Sequence, residues 1–207
     1  SWASIDSMGR WKLLQYAAAR FFSPVLVSCE RDAFHARFSV VNDTLVPFGG
    51  TLVVHLIDAR GTTISKKEFP VQVPALSAAW VGEEDYHPQP ESLHPEDDRA
   101  LLLTLRDGEE NIVSENCELF SVPKFFRFAP PHIHTAITQQ GDDCEITLSC
   151  EAFAWGVWLD TETIDCTFSD NGFYLLPGEP RGITAYKVRK EQLEQAISVT
   201  SAADIGK

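Results

Sequence analysis

The run FHARFSV at residues 34–40 alternates Phe34, Ala36, Phe38 and Val40 with His35, Arg37 and Ser39. A period of two sends successive side chains to opposite faces, so this run reads as a strand buried on one face and wet on the other. Outward from it the pattern recurs at 51–58 (TLVVHLID), 63–69, 71–73, 77–81, 100–106 (ALLLTLR) and 111–118. Turn signals at Asn42-Asp43, Gly49-Gly50, Arg60-Gly61 and Asp107-Gly108 punctuate the runs. About seven short strands in roughly 100 residues is the count of an immunoglobulin-like β-sandwich.

The stretch SVPKFFRFAPP at 121–131 then interrupts the pattern, and its prolines and aromatics read as a connector between packed units. Beyond it, strands are expected at 133–138, 144–150, 153–159, 164–169, 183–188 and 197–200, with a short helix at 191–196. Asp170-Asn171-Gly172 and Pro177-Gly178 are turns. Ahead of the first sandwich, Trp11, Leu14, Ala18 and Phe21 recur at helical spacing, which predicts a helix over 6–22 capped by Ser4 or Asp6 and stopped by Ser23-Pro24. The expected fold is all-β: two immunoglobulin-like β-sandwiches, 24–122 and 123–207, preceded by one helix within 1–23.

The chain has 207 residues, 44% of them hydrophobic and 23% charged, enough to bury a real core. With 17 Lys+Arg against 30 Asp+Glu, the net charge of −13 opposes nucleic acid and anionic membrane alike. No stretch of about 18 apolar residues offers a membrane span. The opening residues lack a secretion signal, and the chain does not begin with Met, so its start is expected further upstream. Five cysteines (Cys29, Cys117, Cys144, Cys150 and Cys166) form no CxxC pair; buried thiols and a reducing, cytoplasmic compartment are expected.

Candidate chemistry is sparse. The acidic run EEDYHPQPESLHPEDD at 83–98 reads as a solvated loop; His87, His94, Asp97 and Asp98 within it match no metal-loop spacing. His132 and His134 flank Ile133 without a nearby third ligand, so no metal site is expected. There is no GxSxG elbow, phosphate loop or HExxH helix, and no catalytic residue is assigned. In FAWGVWL, at 153–159, alternation places Phe153, Trp155, Val157 and Leu159 on a core face and Trp158 on the other. Trp158 and Tyr174 are the candidates for a sugar platform, with packing against a neighbouring domain as the plainer role.

Three stretches carry a resemblance that spans essentially the whole chain. SWASIDSMGRWKLLQYAAARFFSPVLVS, at 1–28, resembles the segment that closes the catalytic barrel in β-mannosidases of glycoside hydrolase family 2. Val41-Asn42-Asp43 is similar to a turn of that family's immunoglobulin-like domain, and FSDNGFYLLPGEPRGI, at 168–183, to a motif of its C-terminal sandwich. The sequence departs from the motif at Gly172 and Tyr174, around which the family often carries a bulkier residue and an Asp. The resemblance implies that the helix is left over from a (β/α)8 barrel. Its partner would be the catalytic barrel of the same polypeptide, whose reacting groups come from strand ends absent from this sequence. Trp2 would lie near the rim of that site. It also implies a cofactor-free parent that removes terminal β-D-mannose from mannosides by a retaining, two-carboxylate mechanism, with these residues as non-catalytic scaffold. A free-standing carbohydrate-binding or adhesion module, or the tail of a related exo-β-glucosaminidase, is the alternative. Cut from its barrel, the helix at 7–22 is expected to fray or to dock on a neighbouring molecule.

Overall fold

The computed structural model describes residues 3–7, 9–32, 34–87 and 98–205. The chain divides into two compact units, residues 20–127 and residues 1–19 together with 128–207. Each is built on an antiparallel sandwich of one three-stranded and one four-stranded sheet, so the chain is all-β with immunoglobulin-like domains.

In the first unit the strands are β1 (Val25–Asp32), β2 (His35–Asn42), β3 (Phe48–Asp58), β4 (Thr63–Val73), β5 (Ser77–Asp85), β6 (Arg99–Asp107) and β7 (Ile112–Leu119). They form the sheets β1-β2-β5 and β4-β3-β6-β7. The alternation at 34–40 is realised in β2, where Ala36, Phe38 and Val40 are fully buried in a core shared with Leu52, Val54, Leu101, Leu103 and Leu105. Three details differ from the sequence reading. Strand β1 was not anticipated, although Val25 and Val27 alternate into the core. The runs at 63–69 and 71–73 are one strand, β4, which tolerates Pro70 because it ends its sheet. Glu83, Glu84 and Asp85 are strand rather than loop residues, each facing a basic partner: Arg37, Lys67 and His35 respectively.

The Val-Asn-Asp turn has a physical reason. Asn42 is fully buried; its Nδ2 donates to the carbonyls of Val46, Val73 and Pro74, and its Oδ1 accepts from the backbone and hydroxyl of Thr44. One amide thereby satisfies backbone groups that the turn leaves without ladder partners.

The second unit contains α1 (Leu13–Phe21), whose last two residues belong to the first, then β8 (His134–Gln140), β9 (Asp143–Ser149), β10 (Ala154–Thr161), β11 (Thr167–Phe168), β12 (Phe173–Leu175), β13 (Arg181–Tyr186), α2 (Lys190–Ala196) and β14 (Ile197–Thr200). Its sheets run β11-β13-β9-β8 and β12-β10-β14. The strand expected at 164–169 shrinks to β11, and β12 is an additional strand.

The Ser-Asp-Asn run ties these sheets together. Ser169 Oγ accepts from the Thr184 N–H, Asp170 pairs with Arg181 at 3.0 Å, and Asn171 bonds Leu159 in both directions. Gly172 follows at φ +70°, donating its N–H to the Val157 carbonyl. Gly178 at φ +80° occupies the second central position of a turn from Leu176 to Glu179, with Pro177 at the first. That is the arrangement of a type II turn.

Candidate functional site

Local sequence decides which way the tryptophans of β10 point. The pairings Ala154–Leu175 and Val157–Phe173 are separated by three residues on β10 and two on β12, so β10 carries a bulge there. Gly156, at φ +64°, accommodates it. The extra residue shifts the alternation: Ala154 and Val157 both enter the core, and Trp155 is only half-buried. Trp155 therefore does not share the core face with Val157 and Leu159 as simple alternation suggested, and neither does Phe153, which is buried instead against Phe128 and Tyr174. Past the bulge, Trp158 stands on the outer face of β10, opposite Thr200 of β14.

The N-terminal segment covers that face. Helix α1 begins at Leu13, later than its periodicity suggested, because the preceding residues form a small hairpin. Ile5 bridges to Trp11, Lys12 N donates to Ser4 O, and Gly9 turns the chain at φ +83°. The Asp6 carboxylate grips Arg10 through its backbone N–H and its Nε. This hydrogen bond and charge raise the Arg10 pKa further above its usual value.

From α1, Tyr16 is buried against two tryptophans in edge-to-face geometry, Trp11 at 5.2 Å and Trp158 at 6.1 Å. A hydrogen bond with the Phe168 backbone holds its hydroxyl, and burial raises the phenol pKa. The helix expected to fray or to seek a neighbouring molecule is instead anchored through Tyr16 on its own chain.

Between hairpin and sheet lies a groove of about 730 Å³, walled by Trp11 and Trp158 and edged by Arg10, Lys12, Asp160 and Asp204. A smaller cavity of about 60 Å³ behind Trp158 is lined by Tyr16, Cys166, Phe168 and Asn171. The groove's carboxylates serve local structure: Asp6 holds Arg10, Asp160 accepts from the Thr161 N–H, and Asp204 accepts from the Ser201 N–H and hydroxyl. The arrangement stacks rings and hydrogen-bonds.

The two platform candidates have different neighbours. Trp158 meets Tyr16 and lines the groove; Tyr174, half-buried on β12, lies 6.4 Å from Phe153 and lines neither cavity. Helical spacing places Trp11 on the helix, whereas it closes the hairpin that Gly9 turns.

Of the histidines and acids weighed as ligands, His134 meets Glu151 at 3.3 Å, His132 and His87 are exposed, and Asp98 pairs with Arg127. His94, Asp97 and Trp2 lie outside the described residues. Among the described residues no group of three or more His, Cys, Asp or Glu is placed to hold a metal ion.

Comparison with known proteins places these units. Residues 35–124 match the Mannosidase Ig/CBM-like domain and residues 128–205 match the Ig-fold domain of the mannosidase type. The chain is 30% identical to a Bos taurus β-mannosidase, over 99% of this chain and 24% of that protein. It is 28% identical to β-mannosidase A of Aspergillus niger, over 88% of this chain and 21% of that protein. It therefore spans about a quarter of the length of the curated relatives it matches. In fold it is similar to β-D-mannosidase from Dictyoglomus thermophilum, with a TM-score of 0.76 at 20% identity over 97% of this chain and 24% of that one. It is also similar to an Amycolatopsis orientalis exo-chitosanase, with a TM-score of 0.65 at 16% identity over 98% of this chain and 28% of that one.

Proposed function

We propose that this chain, which belongs to the immunoglobulin-like C-terminal region of glycoside hydrolase family 2 β-mannosidases, is the non-catalytic scaffold of a retaining exo-β-mannosidase acting on terminal β-D-mannose residues. What carries the reading is the order of the parts. A hairpin and helix precede two mannosidase-type sandwiches, and the first of these parts is clamped on the last through Tyr16 and Trp158. In this reading α1 is the last outer helix of a (β/α)8 barrel, and its exposed Leu13, Leu14 and Phe21, with Phe22 just beyond it, meet the rest of that barrel. The barrel supplies the two carboxylates and needs no cofactor.

The test compares the 207-residue chain with the longer gene product that contains it, using p-nitrophenyl β-D-mannopyranoside and the matching β-D-glucosaminide. The longer product should turn over the mannoside in preference, and the chain alone neither. Turnover by the chain alone would end the scaffold reading, and exclusive turnover of the glucosaminide would reassign the substrate.

The compartment we propose is the cytoplasm, supported by five unpaired thiols. Burial pushes Cys29 up to about 12 and Cys150 and Cys166 up to about 11, and raises Cys117 and Cys144 as well. The thiolate is the reactive form, so at pH 8 only about one in a thousand of the Cys150 or Cys166 thiols is nucleophilic. Iodoacetamide labelling of the native protein should be slow at pH 8 and rise about tenfold per pH unit to pH 10, without the plateau a free thiol shows above about 8.5. A raised folded-state pKa also means that the stability these thiols contribute is complete below the unfolded value and falls as pH climbs through the folded one. Labelling at a free-thiol rate at pH 8, read by peptide mass spectrometry, would contradict the buried assignment.

A further inference from the structure

A second bulge arranges side chains on the outer face of the β1-β2-β5 sheet of the first sandwich. Phe38 pairs with Gly82 and Ser39 with Trp80, which leaves Val81 as an extra residue on β5. The exposed positions of β5 accordingly run Ala78, Trp80, then Glu83, Asp85. Without the bulge, Glu83 and Trp80 would point to opposite faces. Gly82 fixes its place, since a Cβ there would come within 2.4 Å of the Phe69 ring.

The outcome is an ordered polar surface around one aromatic. The Arg37 guanidinium lies 4.0 Å from the Trp80 ring centroid, with its Nε 3.8 Å from Glu83. His35 sits 2.8 Å from Asp85 and 3.7 Å from Glu83. Trp80 is not needed by the core, which Phe38 and Val40 fill from the other side of the sheet, and 48% of it stays exposed.

We propose that this face binds an uncharged pyranose oligosaccharide, with Trp80 as stacking platform and Arg37, Glu83 and Asp85 hydrogen-bonding the ring hydroxyls. Sugar hydroxyls both donate and accept, and this face offers donors and acceptors side by side around a ring able to stack on the C–H face of a pyranose. An anionic glycan meets the carboxylates of this face on a chain of charge −13. The Arg37 guanidinium covers part of the Trp80 ring, and the pyranose stacks on the ring surface left exposed. The surface argument is independent of the enzyme reading; only the choice of a mannan fragment as first probe rests on it.

The test titrates the 207-residue chain with β-1,4-mannohexaose and with cellohexaose, followed by proton–nitrogen NMR at the Trp80 indole N–H and at the backbone amides of β2 and β5. Saturable shifts are expected, with Kd roughly between 0.1 and 10 mM. Trp80→Ala and Arg37→Ala should each weaken binding by about tenfold or more, which is about 1.4 kcal/mol, while Tyr186→Phe, on an exposed residue of the other unit, leaves it intact. Trp80-dependent binding of cellohexaose with none of mannohexaose would sustain the surface and count against a mannose-directed parent. The proposal fails if neither sugar gives saturation by 10 mM or if the shifts survive Trp80→Ala. It fails equally if sedimentation shows a second copy of the chain covering the face, in a dimer that Trp80→Ala dissolves and sugar does not.

Discussion

Asn171→Ala should cost the C-terminal unit about 3–5 kcal/mol. The Asn171 side chain is 1% exposed, and its amide imitates a neighbouring strand: Oδ1 accepts from the Leu159 N–H at 2.8 Å, and Nδ2 donates to the Leu159 carbonyl at 2.8 Å. Alanine removes both partners and leaves a buried donor and a buried acceptor unpaired, at about 1–3 kcal/mol each. Domain stabilities are only about 5–15 kcal/mol, so the loss approaches the whole margin. Urea unfolding, followed by a signal from this unit, measures it.

Asn171→Asp separates hydrogen bonding from packing. An ionised carboxylate would set an oxygen without a proton against the Leu159 carbonyl, while a protonated one can donate to it. Folding therefore raises the pKa of this Asp, and its stability should recover toward wild type as pH falls below the folded value. An alanine variant within about 1 kcal/mol of wild type would show that the Leu159 bonds are dispensable.

The second large effect concerns Tyr16, which is 3% exposed between Trp11 and Trp158. Truncating a buried aromatic to alanine costs about 3–5 kcal/mol when the site cannot collapse. Here the loss should fall on the docking of residues 4–19 and leave the sandwich folded. Amide exchange in α1 and its preceding hairpin should accelerate by about a hundredfold or more in Tyr16→Ala, since exchange reports local opening. Protection along β9 and β13 should hold. Tyr16→Phe, which keeps the ring and loses the bond with Phe168, should cost about 1 kcal/mol. Unchanged exchange in Tyr16→Ala would mean that the helix is held by other contacts.

The parts legible in the sequence were those written in local code. Alternation at 34–40 gave β2, and Gly172 and Gly178 take the positive φ that their turns require. What escaped depends on one inserted residue or on distant segments. The bulge at Gly156 reverses parity for a single step, which is why Trp155 leaves the core face while Trp158 keeps its outward one. The bulge at Val81 did the same for Glu83 and hid that it shares a face with Trp80. The hairpin around Gly9 overruled a helical period that Trp11 and Leu14 otherwise obey. The groove was not visible at all, because it joins residues 6–13 to 156–160 and 200–205 through packing that no window of sequence contains.

Strand β4 has a consequence for crowded solutions. As the last strand of its sheet it displays an eleven-residue ribbon of the kind that another polypeptide extends by strand pairing. Pro70 removes one N–H from that ribbon, and Lys66 and Lys67 set two ammonium groups along it. An incoming strand would have to forgo a rung of the ladder and desolvate charge at the same time. Strand addition at the β4 edge is thereby disfavoured, so growth of a sheet from chain to chain finds no easy start on this strand.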